Sequence, residues 1–370
     1  LGVPVPQVVL PIAISFFTFQ QISYLVDIYH GRAKGEGLLN YSLFVVFFPQ
    51  LIAGPIVHHS QMVPQYKRLP DLGLASSSQV MSGLILITLG LFKKIVIADT
   101  IASWIDPAFA RVADLSMLDA WTVALGYSLQ IYFDFSGYCE MAMGLSLLFG
   151  LSLPINFDSP YRSSNVSEFW RRWHITLGQF LKDYLYIPLG GSRSGILLMC
   201  AALMITMLLG GLWHGAGWQF VLWGGLHGLY LVIFHFWKQT GFSLPRPVGI
   251  SLTLLVVVIA WVPFRAANIE ETFLLWETMF FPSAYDHLPL IAAMVSDITG
   301  EAVTSVKTVF GGWELAFFVM LLAFCAKQPN VHEYLAEFKP AIKPLLAMSS
   351  AACVALAMMG RPTTFLYYAF

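Results

Sequence analysis

The chain is built from long apolar runs without a charged residue, broken by short charged clusters. Residues 1–26, 37–66, 72–92 and 194–237 contain no Asp, Glu, Lys or Arg. A bilayer core ~30 Å thick takes about 20 apolar residues of helix. Each run is therefore long enough to cross, and 194–237 long enough to cross twice, with GGLWHGAG (210–217) as the hinge. Further spans are predicted over 247–264, 311–326 and 344–360. The segment 118–150 has the length but carries Asp134 and Glu140. The pattern predicts an all-α, polytopic membrane protein with roughly eight or nine spanning helices.

Between the runs, KRLPD (67–71), 106–119, 151–168 and 238–247 are rich in Pro, Ser or charge and are predicted loops. Residues 282–310 form a polar insert expected outside the membrane. No internal repeat or second domain is visible, so 1–370 is expected to be a single transmembrane domain. Its start, LGVPVPQ, has neither an initiator Met nor the charged n-region of a signal peptide. The expectation is a domain whose first N-terminal helices precede this sequence.

Composition agrees with lipid as the solvent. The chain is 57 % hydrophobic and only 11 % charged, against ~45–50 % and ~25 % for soluble domains. A net charge of −1 excludes a nucleic-acid partner of the usual kind, which needs a basic stripe. Cys139, Cys200, Cys325 and Cys353 lack metal-ligand spacing and are expected as small buried apolar side chains. The basic cluster Arg162, Arg171, Arg172, Lys182 and Arg193 suggests a cytoplasmic face for 160–193.

Polar groups at membrane depth are costly, and usually functional. In YFDFSGYCEMAMG (132–144), Asp134 and Glu140 are read first as partners of Lys93 and Lys94, because a buried carboxylate needs a counter-charge. FFPQLIAGPIVHH (47–59) should break a helix at Gly54–Pro55, leaving His58 and His59 at the headgroups. His174 in FWRRWHITLG and His214 in GLWHGAGWQF are the candidates for proton transfer, since neutral imidazole is the usual general base. His227 and His235 are read as structural. Taken alone, the patch around Arg171, Arg172, Lys182, Trp173 and Tyr184 reads as interfacial snorkelling anchors.

The run FWRRWHITLGQFLKDYLYIPLGG followed by WHG at 213–215 resembles the membrane-bound O-acyltransferases. Within them it is most similar to the bacterial polysaccharide branch that includes the alginate O-acetyltransferase membrane subunit. LPIAISFFTFQQISYLVDIYHG (10–31), FFPQLIAGPI (47–56), LFKKIVIAD (91–99), WHGAGWQFVLWGGLHG (213–228) and the terminal RPTTFLYYAF (361–370) support this in order. The resemblance implies a ring of tilted helices around a central tunnel, with re-entrant segments. It implies His214 as the catalytic position, acting as general base, and His174 as a second position that orients the donor or stabilises the oxyanion.

The same resemblance implies acetyl-CoA as donor, held through Arg171, Arg172, Lys182, Trp173 and Tyr184, with no metal and no permanently bound cofactor. It further implies a multi-pass protein of the bacterial inner membrane, in contact with lipid. A periplasmic acetyltransferase and a polysaccharide synthesis and export complex would be its partners, and an exported polymer such as alginate the acceptor. Peptidoglycan, cellulose and D-alanylated teichoic acid are the alternatives. Where the family motif has Ser-Asp this chain has Cys139–Glu140, so that carboxylate is not expected to be catalytic. Outside the family, a transporter would show inverted repeats or paired broken helices, and a non-catalytic scaffold would not need both histidines.

Overall fold

A computed structural model describes residues 14–52, 54–72, 75–281, 309–338 and 341–360. Every regular element among them is helical. Residues 282–308 of the insert assigned to 282–310 and the terminal stretch 361–370 lie outside the described residues, as does the beginning of the LPI-ISFF segment.

The first described elements are α1 (Ile14–Tyr29) and the short α2 (Leu38–Val46). The apolar run 37–66 does not form one crossing. Its helix stops at Phe47, whose extended backbone precedes a 3-10 turn Phe48–Gln50 containing Pro49, and helix resumes only at α3 (His59–Leu72). Proline lacks the backbone donor of an interior helical turn, and here the helix is interrupted at Phe47–Gln50 as well as at Gly54–Pro55. KRLPD, expected as a loop, forms the final turns of α3.

The next run is one continuous helix, Ser77–Phe109, made of α4 (Ser77–Leu91), a π-helical stretch Phe92–Ala98 and α5 (Asp99–Phe109). It packs against α6 (Met117–Leu148), the long central helix. Two glycine pairs make this contact close. A Cβ on Gly90 would strike the carbonyl of Gly137, and one on Gly144 would strike the carbonyl of Gly83. Small residues at such crossings let backbones approach where hydrophobicity supplies no drive between helices. The π stretch carries both lysines: Lys94 Nζ lies 2.7 Å from Asp99 Oδ1 and 2.7 Å from Asp134 Oδ1. Lys93 pairs with Glu140. The acidic pair in α6 therefore has the counter-charges that its burial demands.

Two short helices follow, α7 (Val166–Arg172) and α8 (Ile175–Leu181), the latter running into a π turn Lys182–Tyr186. Then come α9 (Ile196–His214) and α10 (Trp218–Gln239), with the turn at Gly215–Gly217 where the hinge was expected. The remaining elements are α11 (Arg246–Arg265), α12 (Ile269–Phe280), α13 (Trp313–Cys325), α14 (Val331–Glu337) and α15 (Ile342–Met358).

Among the described residues, four helices are long and apolar enough to cross a membrane by length and composition: Ser77–Phe109, Ile196–His214, Trp218–Gln239 and Arg246–Arg265. That is fewer than the eight or nine expected, because several apolar runs fold as shorter helices. Leu38–Gln50, Trp313–Cys325 and Ile342–Met358 are apolar but short. Helix α6 has the length and carries Asp119, Asp134 and Glu140.

Candidate active site

The turn between α7 and α8 places His174 in the core. It is 1 % exposed and adopts a left-handed backbone, φ 43° and ψ 55°, as the N-cap of α8. Its ring meets Phe135 of α6 edge-on at 4.8 Å and stacks at 6.4 Å on Phe157. Nδ1 lies 3.1 Å from Oδ1 of Asn156, which also receives Thr176 N–H at 3.2 Å and Thr176 Oγ1 at 2.9 Å. Thr176 Oγ1 in turn accepts the Ile56 N–H at 2.9 Å, so the AGPI segment is fastened to the histidine turn.

His214 comes from the last turn of α9 and is 3 % exposed. Aromatic rings frame it: Trp213 at 4.7 Å, Trp223 at 5.0 Å and Phe264 at 5.0 Å. Close packing of α9 on α10 fixes this position, since a Cβ on Gly211 would meet the Phe220 carbonyl and one on Gly224 the Met207 carbonyl. Trp173 touches Trp261 at 4.8 Å, and Trp261 touches Phe264 at 5.3 Å, so a continuous aromatic layer joins the two histidine environments. His174 and His214, the two residues singled out for proton transfer, thus border one aromatic layer.

The basic patch divides. Arg172 is engaged by Asp158 at 2.9 Å and Glu168 at 3.0 Å, and it ties the 156–160 segment to α7. Trp173 is 2 % exposed and stacks on Phe169 at 5.6 Å, inside the core. Tyr184 donates to Asp27 Oδ2 at 2.9 Å and stacks on His58 at 5.7 Å. Arg171 and Lys182 are exposed, and among the described residues neither has an acidic partner within ion-pair distance. His59 begins α3 and lies 3.7 Å from Glu36, which also pairs with Lys67 at 2.9 Å. That lysine holds the Glu36 carboxyl below its ordinary range. His227 accepts a hydrogen bond from Trp170 Nε1 at 3.2 Å, the structural role expected of it.

Sequence reasoning missed Asn156 and Thr176. The one signal for Asn156 was a lone amide in the apolar stretch LSLPINF. A separate apolar cavity of about 770 Å³ lies between α1, α2 and α6, lined by Phe17, Val45, Phe48, Tyr138 and Met141 among others.

Comparison with known proteins agrees with this architecture. The model of MBOAT, the membrane-bound O-acyltransferase family, matches residues 33–262. A peptidoglycan O-acetyltransferase of Helicobacter pylori is 46 % identical over 292 residues, covering 71 % of this chain and 55 % of that protein. A probable alginate O-acetylase, AlgI, of Pseudomonas aeruginosa is 42 % identical over 278 residues, 74 % of this chain and 52 % of its own length. A teichoic acid D-alanyltransferase of Streptococcus thermophilus is 30 % identical over 246 residues, covering 62 % of this chain and 57 % of that protein. The chain spans about half the length of the curated relatives it matches. On a family match that covers most of its described core, including both histidines, the chain belongs to the membrane-bound O-acyltransferase family.

Proposed function

We propose that this chain is the membrane component of an O-acetyltransferase. It moves an acetyl group from a cytoplasmic donor, acetyl-CoA, toward an exported polysaccharide such as alginate. The observation that carries the reading is the pair His174 and His214, both buried, drawn from different elements and bordering one continuous aromatic layer. Buried imidazoles are expensive in such surroundings, and acyl transfer requires two proton movements that such a pair can supply.

The reaction is acyl transfer from a thioester to a hydroxyl, giving an oxygen ester and a thiol. One imidazole takes the proton of the attacking hydroxyl as its oxygen bonds to the acetyl carbon. The tetrahedral intermediate then collapses, the C–S bond breaks, and the thiolate recovers a proton. General acid–base groups of this kind contribute ~10²–10⁴-fold. Arg171 and Lys182, exposed and unpaired among the described residues, hold the donor's phosphates. Arg172, Trp173 and Tyr184 shape that end through their contacts with Asp158, Phe169 and Asp27. A tunnel joining the two membrane faces would bring donor and acceptor to the histidines. In the bacterial inner membrane, surrounded by lipid, the protein would hand acetyl to a periplasmic acetyltransferase within a polysaccharide synthesis and export complex.

A second acceptor, peptidoglycan, is favoured by one observation: the relative named for it is 46 % identical, against 42 % for a probable alginate O-acetylase. The test is acetyl transfer from radiolabelled acetyl-CoA in membrane vesicles supplied with either polymer. His214→Ala should abolish transfer while the protein persists in the membrane. Undiminished acetylation by that variant would refute the reading.

A further inference from the structure

We infer that Asn156 is a positioning residue that fixes the tautomer of His174, leaving its Nε2 as the proton-accepting atom of the histidine pair. The catalytic consequence rests on the acyl-transfer reading above; the geometry does not.

The argument begins from a donor whose identity is beyond choice. The backbone N–H of Thr176 points to Oδ1 of Asn156 at 3.2 Å. A backbone N–H can only donate, so the atom it meets is the amide oxygen. The other end of the amide, Nδ2, faces Cys139 Sγ at 3.2 Å as a donor. Thr176 Oγ1 already accepts from Ile56 N–H, so its own proton goes to the same Asn156 oxygen at 2.9 Å. His174 Nδ1 lies 3.1 Å from that oxygen. An amide oxygen cannot donate, so Nδ1 must carry the hydrogen. In a neutral imidazole the other nitrogen then bears the lone pair.

That nitrogen, Nε2, is buried and has no hydrogen-bond partner among the described residues. A buried unpaired acceptor is unfavourable, and the fold maintains it by holding the backbone as well. His174 sits at φ 43°, a region that non-glycine residues visit at a cost. Asn156 secures the turn on both sides of its own structure: its carbonyl accepts Ile175 N–H at 2.9 Å while its side chain accepts Thr176 N–H. One residue, 1 % exposed, thereby sets the strained backbone and the tautomer together.

The assignment changes the division of labour expected from sequence. A neutral His174 with bare Nε2 cannot offer a hydrogen bond to an oxyanion; it can only accept. It takes the proton from the attacking hydroxyl at Nε2, and Asn156 Oδ1 steadies the resulting imidazolium through Nδ1–H. The same Nε2–H then returns its proton to the departing thiolate. One proton is taken and one given back, and no other reactant is needed.

The experiment has two arms on the full chain in lipid. Nitrogen-15 NMR of the histidine-labelled protein, with His174→Gln subtracted to assign the signal, should show the Nδ1–H tautomer at His174 in the native protein. An Nε2–H signal would overturn the proposal whatever the activity. In the second arm, Asn156→Ala should release the tautomer and lower the transfer rate about 10²–10⁴-fold, the usual worth of an acid–base group, with donor KM unchanged. Asn156→Asp keeps an acceptor at the same place and guards against an unfolded Ala variant. It should retain the tautomer and most of the rate. Its carboxylate favours the imidazolium, so more alkaline solution is needed to free Nε2, and the acid limb of the rate profile should move to higher pH. An unmoved acid limb in Asn156→Asp, or a native tautomer and full rate in Asn156→Ala, overturns the proposal. If the native protein transfers no acetyl group, the acyl-transfer reading fails while the NMR arm still decides the tautomer.

Discussion

Arg172 and Asp158 hold each other through both side chain and backbone. Arg172 Nη1 lies 2.9 Å from Asp158 Oδ2 and 3.0 Å from the Asp158 carbonyl oxygen, and Asp158 N–H returns a bond to the Arg172 carbonyl at 2.9 Å. Asp158 also receives Asn330, so the clamp reaches α14. This geometry uses the planar fork of guanidinium, which lysine cannot reproduce. Arg172→Lys should therefore lower stability by about 1–2 kcal/mol, a value kept small because the pair is partly solvated. Unfolding in detergent measures it, and donor KM per folded molecule should stay constant. A raised KM with unchanged stability would return Arg172 to the donor site.

Arg171 and Lys182 are predicted to behave in the opposite way. Both are exposed and free of acidic partners among the described residues, so removing them disturbs no internal contact. If they hold donor phosphates, the double variant Arg171→Ala/Lys182→Ala should raise donor KM about tenfold, roughly 1.4 kcal/mol. In the native protein, donor KM should rise with salt, because exposed charges are screened. A donor titration that is the same in both proteins at two ionic strengths would assign the pair to membrane anchoring.

The buried charges of the π stretch, α5 and α6 give a stability prediction. Lys94 bonds Asp99 and Asp134, and Asp134 is only 1 % exposed. Lys94→Met strands carboxylates in the core, and losing one partner of such a group costs about 3–5 kcal/mol. The protein should fail to accumulate or unfold at a much lower temperature. Replacing both members of the neighbouring pair, Lys93→Met with Glu140→Leu, removes both charges and should be far milder. Equal damage from the two variants would mean that Glu140 does more than balance Lys93.

These charges show what the sequence made legible and what it did not. Lys93 and Lys94 were matched with the acidic residues of 132–144 because only counter-charges make such burial tolerable, and the structure pairs them so. The hinge at 215–217 was readable from its glycines and the span 247–264 from its apolar length, while 311–326 and 344–360 form apolar helices shorter than the spans expected there. The run 37–66 misled because absence of charge does not imply continuity of helix; Pro49 and Pro55 divide it. KRLPD misled in reverse, since α3 absorbs Pro70. Both histidines were singled out from motif and chemistry, and the structure buries both. Asn156 was not, because its importance lies in a carbonyl and an amide that meet a turn from another segment, and no local pattern records that.

The last prediction concerns how α9 delivers His214. Gly211 is on the turn preceding that histidine, and a Cβ there would run into the Phe220 carbonyl and lie 3.1 Å from Gly224 N. Both obstacles are backbone atoms of α10 and cannot rotate aside. Gly211→Ala should therefore push the two helices apart near the hinge and shift His214 relative to Trp223, now 5.0 Å away. Displacements of about 1 Å in a catalytic group can cost on the order of 10²-fold, so transfer should fall by that amount. The helix itself should survive, because alanine is a better helix former than glycine. Gly225→Ala is the control: its Cβ would meet only the side chain of Leu208 at 3.5 Å, an ordinary contact. It should keep full activity and gain slightly in stability. If Gly211→Ala is as active as Gly225→Ala, tight packing of the hairpin does not govern the position of His214.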